Sequence, residues 1–275
     1  MKYTKQNPLR VVTLCSGYDS QCLALDRLKR EYPNFDYDLV AWSEFDPESK
    51  TPLHKQPAVV AHNALFPQWE DRNLGDMTKI DWIQVPDFDL LFYSTPCQSI
   101  SQAGLQHGFS EGSGTRSSII WNVRDAVIKK RPKFLCLENV KAMVSGKFVG
   151  MFNLWQLELE RLGYCNFAQV LNAKDYGVPQ NRERIFLVSI RDDGDLQRYF
   201  FPQPFPLERR LKDMLEENVD ERYYLSDKML DYFNRVDADK THGHNFTPKD
   251  ADDTAFAIRT APGNRVDDNF VKEDV

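Results

Sequence analysis

From residue 9 to residue 190, short apolar runs alternate with segments of helical period, a pattern that a wound, largely parallel sheet satisfies and few other architectures do. The runs at 9–14, 39–42, 88–93, 134–137 and 185–190 are brief and nearly all apolar, as expected of strands covered on both faces. Between them Cys22, Leu25 and Leu28 recur at helical spacing over 20–30, as do Ile119, Ile120, Val123, Ala126 and Val127 over 117–130. A further helix is expected over 151–162, closed by Gly163 as a left-handed cap. The expected fold is α/β, a doubly wound, mostly parallel Rossmann-like sheet. Pro202, Pro204 and Pro206 break the alternation, and two charged helical stretches are expected after them, over 207–218 and 226–236. Past residue 237 the chain is polar and short of core-forming residues. The expected division is a sheet domain over 1–200 and a smaller, partial recognition region over 201–275.

Composition excludes several classes. In these 275 residues, 41% hydrophobic and 28% charged content argues against disorder and fibrous repeats. The first apolar run is too short for a signal peptide or membrane anchor, so a cytoplasmic protein without a membrane partner is expected. Five scattered cysteines, none in CxxC spacing, point to free thiols in a reducing compartment and to no metal site. The net charge of −6 sits awkwardly with binding to phosphates, so local basic clusters matter more than the sum. They occur at Lys129, Lys130, Arg131 and Lys133, at Arg182 and Arg184, and at Arg209, Arg210 and Lys212. For the first and third, a solvated helix end or face is the better reading.

Three segments carry chemical potential. Cys97, in Ser94-Thr95-Pro96-Cys97-Gln98-Ser99, follows an apolar run, where open α/β sheets place their ligands. Pro96 stiffens the turn that presents it. Burial as a small hydrophobe fits Cys22, Cys136 and Cys165 better than Cys97. Glu138, in Leu137-Glu138-Asn139-Val140, is a carboxylate ending an apolar strand; it suits either a proton donor with a raised pKa or a structural ion pair. Arg182 and Arg184, in Gln180-Asn181-Arg182-Glu183-Arg184, alternate into a strand and point one way, suited to a carboxylate, phosphate or carbonyl. A surface ion pair is the competing reading.

Taken in order, Pro-Cys-Gln, Glu-Asn-Val and Gln-Asn-Arg-Glu-Arg make residues 9–191 resemble the C5-cytosine methyltransferase family. The resemblance implies transfer of a methyl group from S-adenosylmethionine to C5 of a flipped-out cytosine in double-stranded DNA, through a covalent adduct of Cys97 at C6. It implies that Glu138 meets N3 and the exocyclic amine, and that Arg184, with Arg182 second, sits near the base carbonyl and the thiolate. Gln98 and Ser99 would contact DNA, and the glycine-rich loop over 98–114 would close on it. For the cofactor the resemblance implies Ser16, Gly17, Tyr18 and Ser20 in the turn after the first strand, Glu44 at the ribose, Phe45 against the adenine, Asp76 and Met77 at its edge, and Pro96. That turn departs from the family's Phe-Ala-Gly-x-Gly-Gly: Cys15-Ser16-Gly17-Tyr18-Asp19-Ser20 keeps one glycine of three, and Asp19 and Ser20 are expected to narrow it. Two C-terminal family motifs are not found, which suggests a truncated or split enzyme completed by a second polypeptide. Such a protein would be a bacterial or phage restriction–modification enzyme. The rivals are a tRNA C5-cytosine methyltransferase, a non-catalytic DNA- or cofactor-binding module, and a cysteine hydrolase, the last opposed because none of the five histidines is visibly partnered with Cys97.

Overall fold

The computed structural model describes residues 2–95, 120–146, 148–193, 199–238, 246–258 and 268–272. Two compact units emerge: Met1–Val170 with Arg184–Phe201, and Leu171–Glu183 with Pro202–Val275.

The first unit is built on a six-stranded sheet of order β2-β1-β3-β4-β7-β5. Its strands are β1 (Leu9–Leu14), β2 (Tyr37–Ser43), β3 (Leu90–Tyr93), β4 (Phe134–Val140), β5 (Tyr164–Asn172) and β7 (Glu183–Arg191). β1 pairs in parallel with β2 and β3, and β3 with β4, while β4 and β7 run antiparallel. The helices are α1 (Ser20–Glu31), α2 (Pro57–Leu65), α3 (Val123–Lys130) and α4 (Val149–Arg161). Gly163, with φ 86°, follows α4 as a left-handed residue.

Side chains of successive strand residues point to opposite faces, and the core divides accordingly. Val12 and Leu14 of β1 and Leu91 and Tyr93 of β3 pack with Val123, Ala126 and Val127 of α3 and Phe152, Trp155 and Leu159 of α4. Leu9 and Val11 pack on the other face with Cys22 and Leu25 of α1 and Val59 of α2. A register irregularity opposite Val11 and Val12 lets Val40 and Ala41 both join the first cluster and turns Trp42 into the second. The sheet is therefore wound on both sides.

Three expectations need correction. β4 and β7 alternate buried with half-exposed residues instead of being covered on both faces; their half-exposed side carries Glu138 and Arg184 beside apolar Phe134, Cys136, Phe186 and Val188. The expected helix over 207–218 is replaced by a single turn, Leu211–Met214, with Leu211 its one buried residue. A short helix without an apolar face to bury is marginal in water, and here the Leu211 and Lys212 amides donate instead to the carbonyls of Asp253 and Ala251. The helix expected over 117–130 is regular only from Val123; residues 117–119 lie outside the described set.

The second unit pairs β6 (Gln180–Asn181) in parallel with β8 (Ala255–Phe256) and carries α5 (Asp227–Ala238). Phe233, Phe246 and Phe270 form a small aromatic cluster there, with ring centroids 5.2–5.7 Å apart. No helix among the described residues is long and apolar enough to cross a membrane.

Candidate active site

Of the side chains singled out by the sequence, Glu44 follows β2 and Glu138 stands near the end of β4, at the carboxyl ends of parallel strands where loops diverge and leave room for a ligand. At the end of β4, Arg184 Nε lies 3.0 Å from Glu138 Oε1, with Glu138 about one-third exposed and Arg184 more enclosed. The antiparallel register explains the meeting: Val140 faces Arg184 and Glu138 faces Phe186, so Glu138 and Arg184 are diagonal neighbours on one sheet face. The ion-pair reading of Glu138 is thus what the structure contains. Arg182 belongs to the second unit, half-buried beyond β6, with its backbone amide donating to Asn172 Oδ1 at 3.0 Å.

Asn139, next to Glu138, points to the opposite, buried face. Its Nδ2 donates to both the carbonyl and the hydroxyl of Thr95 at 3.1 Å, and its Oδ1 accepts from the Val140 amide at 2.8 Å. Both residues are almost fully buried. Because Tyr93 pairs with Leu137, the chain continuing from β3 runs beside β4, and Asn139 fixes it at Thr95, two residues before Cys97. Pro96, Cys97, Gln98, Ser99 and the rest of the loop over 98–114 lie outside the described residues.

A second group surrounds a cavity of about 620 Å³ lined by Cys15, Glu44, Phe45, Gln56, Asp76 and Met77, among others. Glu44 follows β2, and its Oε2 accepts from the Gly17 amide at 2.7 Å. Burial pushes the Glu44 carboxyl above its ordinary value, and the Gly17 hydrogen bond only partly offsets this. Phe45 is substantially exposed. Asp76 caps the turn Met77–Lys79 by accepting from the Thr78 amide at 3.0 Å and hydroxyl at 2.8 Å. Partial burial raises its pKa, but the Thr78 hydrogen bonds and Lys79 outweigh that and leave it below the ordinary carboxylate range. Met77 Sδ packs 3.5 Å from Cys15 Sγ, whose thiol is pushed up to about 12, first by burial and then by Glu44 and Asp76. Gln56 bridges the rim by accepting from the Asp46 amide at 2.8 Å and donating to its carbonyl at 3.2 Å.

The turn between β1 and α1 places Cys15, Gly17 and Asp19 in the left-handed region, with φ of 51°, 58° and 64°. For the two residues other than glycine this costs about 1–2 kcal/mol each. Ser16 is buried, its amide donating to the Ser43 carbonyl at 3.2 Å, while Tyr18 and Ser20 are exposed. The expectation that Asp19 narrows the turn is not met: its side chain is fully buried and accepts from Thr13 Oγ1 at 2.8 Å. The outer side of the turn stays open, and a Cβ placed on Gly17 would meet no heavy atom within 4 Å. An enclosed carboxylate and an exposed aromatic face lining one cavity, with the open Gly17 backbone hydrogen-bonded to that carboxylate, fit an adenosine-like ligand, which offers hydroxyls, a flat ring and a chain that must approach the main chain closely.

Sequence reasoning gave no role to Asn139, Thr95, Gln56 or His62, and it missed the burial of Asp19 beside His62. The usable signal was a polar residue embedded in an apolar strand, as Thr13 and Asn139 are. Three members of two basic clusters are paired: Lys130 with Asp87 at 3.2 Å, Lys133 with Asp193 at 3.1 Å, and Lys212 with Asp252 at 2.6 Å. Among the described residues, no group of three His, Cys, Asp or Glu side chains is placed to hold a metal.

Comparison with known proteins gives this geometry a family. The model for C-5 cytosine-specific DNA methylases matches residues 9–266. The type II methyltransferase M2.ScrFI of Lactococcus lactis subsp. cremoris is 45% identical over 160 residues, covering 58% of this chain and 44% of the relative. The orphan methyltransferase M.Rho11sI of Bacillus phage rho11s is 32% identical over 248 residues, covering 80% of this chain and 46% of the relative. The chain thus spans about half the length of the curated relatives it matches. Among solved structures, S. pombe Dnmt2 methyltransferase superposes with a TM-score of 0.61 at 18% identity, over 89% of this chain and 68% of that one. Entamoeba histolytica methyltransferase EhMeth gives 0.66 at 17% identity, over 90% and 69%. Both share the fold.

Proposed function

This chain belongs to the C-5 cytosine-specific DNA methylase family, and from that premise we propose that it transfers a methyl group from S-adenosylmethionine to C5 of cytosine in double-stranded DNA. The observation that carries the reading is the Glu138–Arg184 pair beside Asn139, which ties the strand end to Thr95, two residues from Cys97. DNA is favoured over tRNA by the description of the matched family.

C5 of cytosine is too weak a nucleophile to take a methyl group unaided. In the proposed sequence the Cys97 thiolate adds to C6, and electron density moves to C5. Glu138 meets N3 and the exocyclic amine and offsets the charge that develops during addition. Arg184 orients the Glu138 carboxyl and adds positive charge near the base carbonyl and the thiolate, which favours the anionic sulfur. When bound, S-adenosylmethionine supplies an electrophilic methyl group on sulfur. Once C5 carries the methyl group, a base removes the C5 proton, the C5–C6 double bond re-forms and the Cys97 thiolate leaves. The target base must first leave the stack, at a cost of a few kcal/mol; Gln98, Ser99 and the loop that follows are assigned to that step.

In the cavity, Glu44 would hold the ribose hydroxyls, Phe45 the adenine face, and Asp76 and Met77 its edge, with Ser16, Gly17, Tyr18, Ser20 and Pro96 toward the rest of the cofactor. Arg182 is assigned a secondary role at the base. The proposed division of labour gives 1–200 to catalysis and 201–275 to target recognition. The test is methyl incorporation from labelled S-adenosylmethionine into mixed-sequence DNA and into tRNA: label in DNA that is absent with Cys97→Ser supports the reading, and label confined to tRNA overturns it. The expectation of a completing second polypeptide meets the same assay, since robust transfer by the 275-residue chain alone refutes it.

A further inference from the structure

We propose that Asp19 and His62 act together as positioning residues for the turn between β1 and α1, a role that rests on reading the adjoining cavity as the S-adenosylmethionine site. Asp19 stands where the resembled motif has glycine, yet it adopts the left-handed conformation glycine would take, with φ 64°. Its side chain is turned inward and wholly buried, with Oδ2 2.8 Å from Thr13 Oγ1 on β1 and 3.4 Å from His62 Nε2 on α2. His62 is also wholly buried, stacked on Trp42 with ring centroids 3.6 Å apart at 16° and flanked by Phe66. Its ring nitrogens have no hydrogen-bond partner among the described residues; Asp19 lies 3.4 Å from Nε2, and the Glu44 carboxyl also feels the ring's charge.

A carboxylate and an imidazole sealed among Trp42, Phe66 and α1 are costly to bury, so their retention calls for a return. The return is visible three bonds away. Asp19 is joined to the turn by its own amide, which donates to the Ser16 carbonyl at 2.8 Å, and Ser16 in turn is tied to Ser43. Holding Asp19 therefore holds Gly17, whose amide donates to Glu44 Oε2 at 2.7 Å and whose outer side is open. Thr13 hydrogen-bonds the side chain from β1 and His62 packs against it from α2, so Asp19 works as a peg that keeps a strained turn in the one arrangement that aims Glu44 into the cavity. Where three glycines would leave the turn pliable, this chain fixes it from beneath.

The test uses the full chain with two readouts, hydrogen exchange of the Gly17 amide and affinity for S-adenosylhomocysteine, with urea unfolding as a control on folding. Asp19→Ala is expected to speed Gly17 exchange and weaken binding by about tenfold each, equivalent to ~1.4 kcal/mol. The swap Thr13→Asp with Asp19→Gly puts a carboxylate back beside His62 from the strand side and frees residue 19 to take its positive φ. It is expected to leave both readouts about as impaired as in Asp19→Ala, because the carboxylate then belongs to the strand and no longer holds the turn. His62→Gln should shift both in the same direction by less. Should Asp19→Ala fail to fold, Asp19→Asn replaces it on the same criteria. The proposal is overturned if the folded alanine or asparagine variant matches the parent in Gly17 exchange, or if the folded swap variant recovers the parent's values. If the parent binds no S-adenosylhomocysteine, the cofactor reading fails by itself, and Gly17 exchange still decides the role of the pair.

Discussion

Replacing Asn139 by alanine removes the clamp between β4 and the chain that leads to Cys97. Three hydrogen bonds vanish: two from Nδ2 to Thr95 at 3.1 Å and one from the Val140 amide to Oδ1 at 2.8 Å. Each contributes about 1 kcal/mol net, and the groups left behind are buried, which adds a desolvation penalty. The Thr95 hydroxyl can rotate toward another acceptor, so the expected total is about 2–4 kcal/mol. Urea unfolding should show this as a lower midpoint at unchanged slope. At temperatures where the variant is still folded, covalent capture of a 5-fluorocytosine duplex should slow by about tenfold or more, because the nucleophile's segment has lost its anchor. A stability loss below about 0.5 kcal/mol, or capture at the parental rate, would refute the reasoning.

Arg184→Ala should cost only about 1 kcal/mol of stability, because Glu138 is 34% exposed and solvent screens the pair. It should nonetheless lower single-turnover methyl transfer by roughly 100-fold or more if the guanidinium acts on developing charge; equal modest losses in both would argue for a merely structural ion pair. Burial raises the Glu44 pKa, so the carboxylate needed by ribose hydroxyls is lost, as pH falls, earlier than an ordinary glutamate would lose it; S-adenosylhomocysteine affinity measured across pH should fall through that raised value in the parent and stay flat, though weaker, in Glu44→Gln. The same shift means the folded chain holds this proton more tightly than the unfolded one, so Glu44 favours folding below its raised value and opposes it above, and the stability advantage of Glu44→Gln should grow with pH through that window. Gly17→Ala should cost about 1–2 kcal/mol through its positive φ alone, since its Cβ meets open space; calorimetry should also register weaker cofactor binding, because the methyl group occupies the open side of the turn.

The sheet was legible wherever burial writes itself into the sequence. β1, α1 and the left-handed residue Gly163 follow from apolar spacing and one glycine. β5 escaped because Tyr164–Asn172 mixes Asn166, Gln169 and Asn172 into a strand only partly covered, which leaves no period to detect. α2 went unread because its nine residues bury only Val59 and His62, too few to set a period. The reverse error, a helix over 207–218, came from charge spacing that no buried face supports. In the site, motif spacing pointed to Glu44, Phe45, Asp76 and Met77, which line one cavity, and to Glu138 and Arg184, which touch. It could not reveal that Asp19 turns away from that cavity, since the fate of its side chain depends on Thr13 and His62, six and forty-three positions away. Contacts of that kind belong to the folded chain and have no local sequence signature.

The central claim is that Cys97 bonds covalently to an extruded cytosine while Glu138 and Arg184 attend the same ring. Its most direct test is to incubate the chain with S-adenosylmethionine and duplexes carrying 5-fluorocytosine, then locate the trapped nucleotide by peptide mass spectrometry. The account predicts a denaturation-resistant adduct on the Cys97 peptide, absent in Cys97→Ser and strongly reduced in Glu138→Gln. An adduct on Cys15, Cys22, Cys136 or Cys165, or one that survives Cys97→Ser, contradicts it.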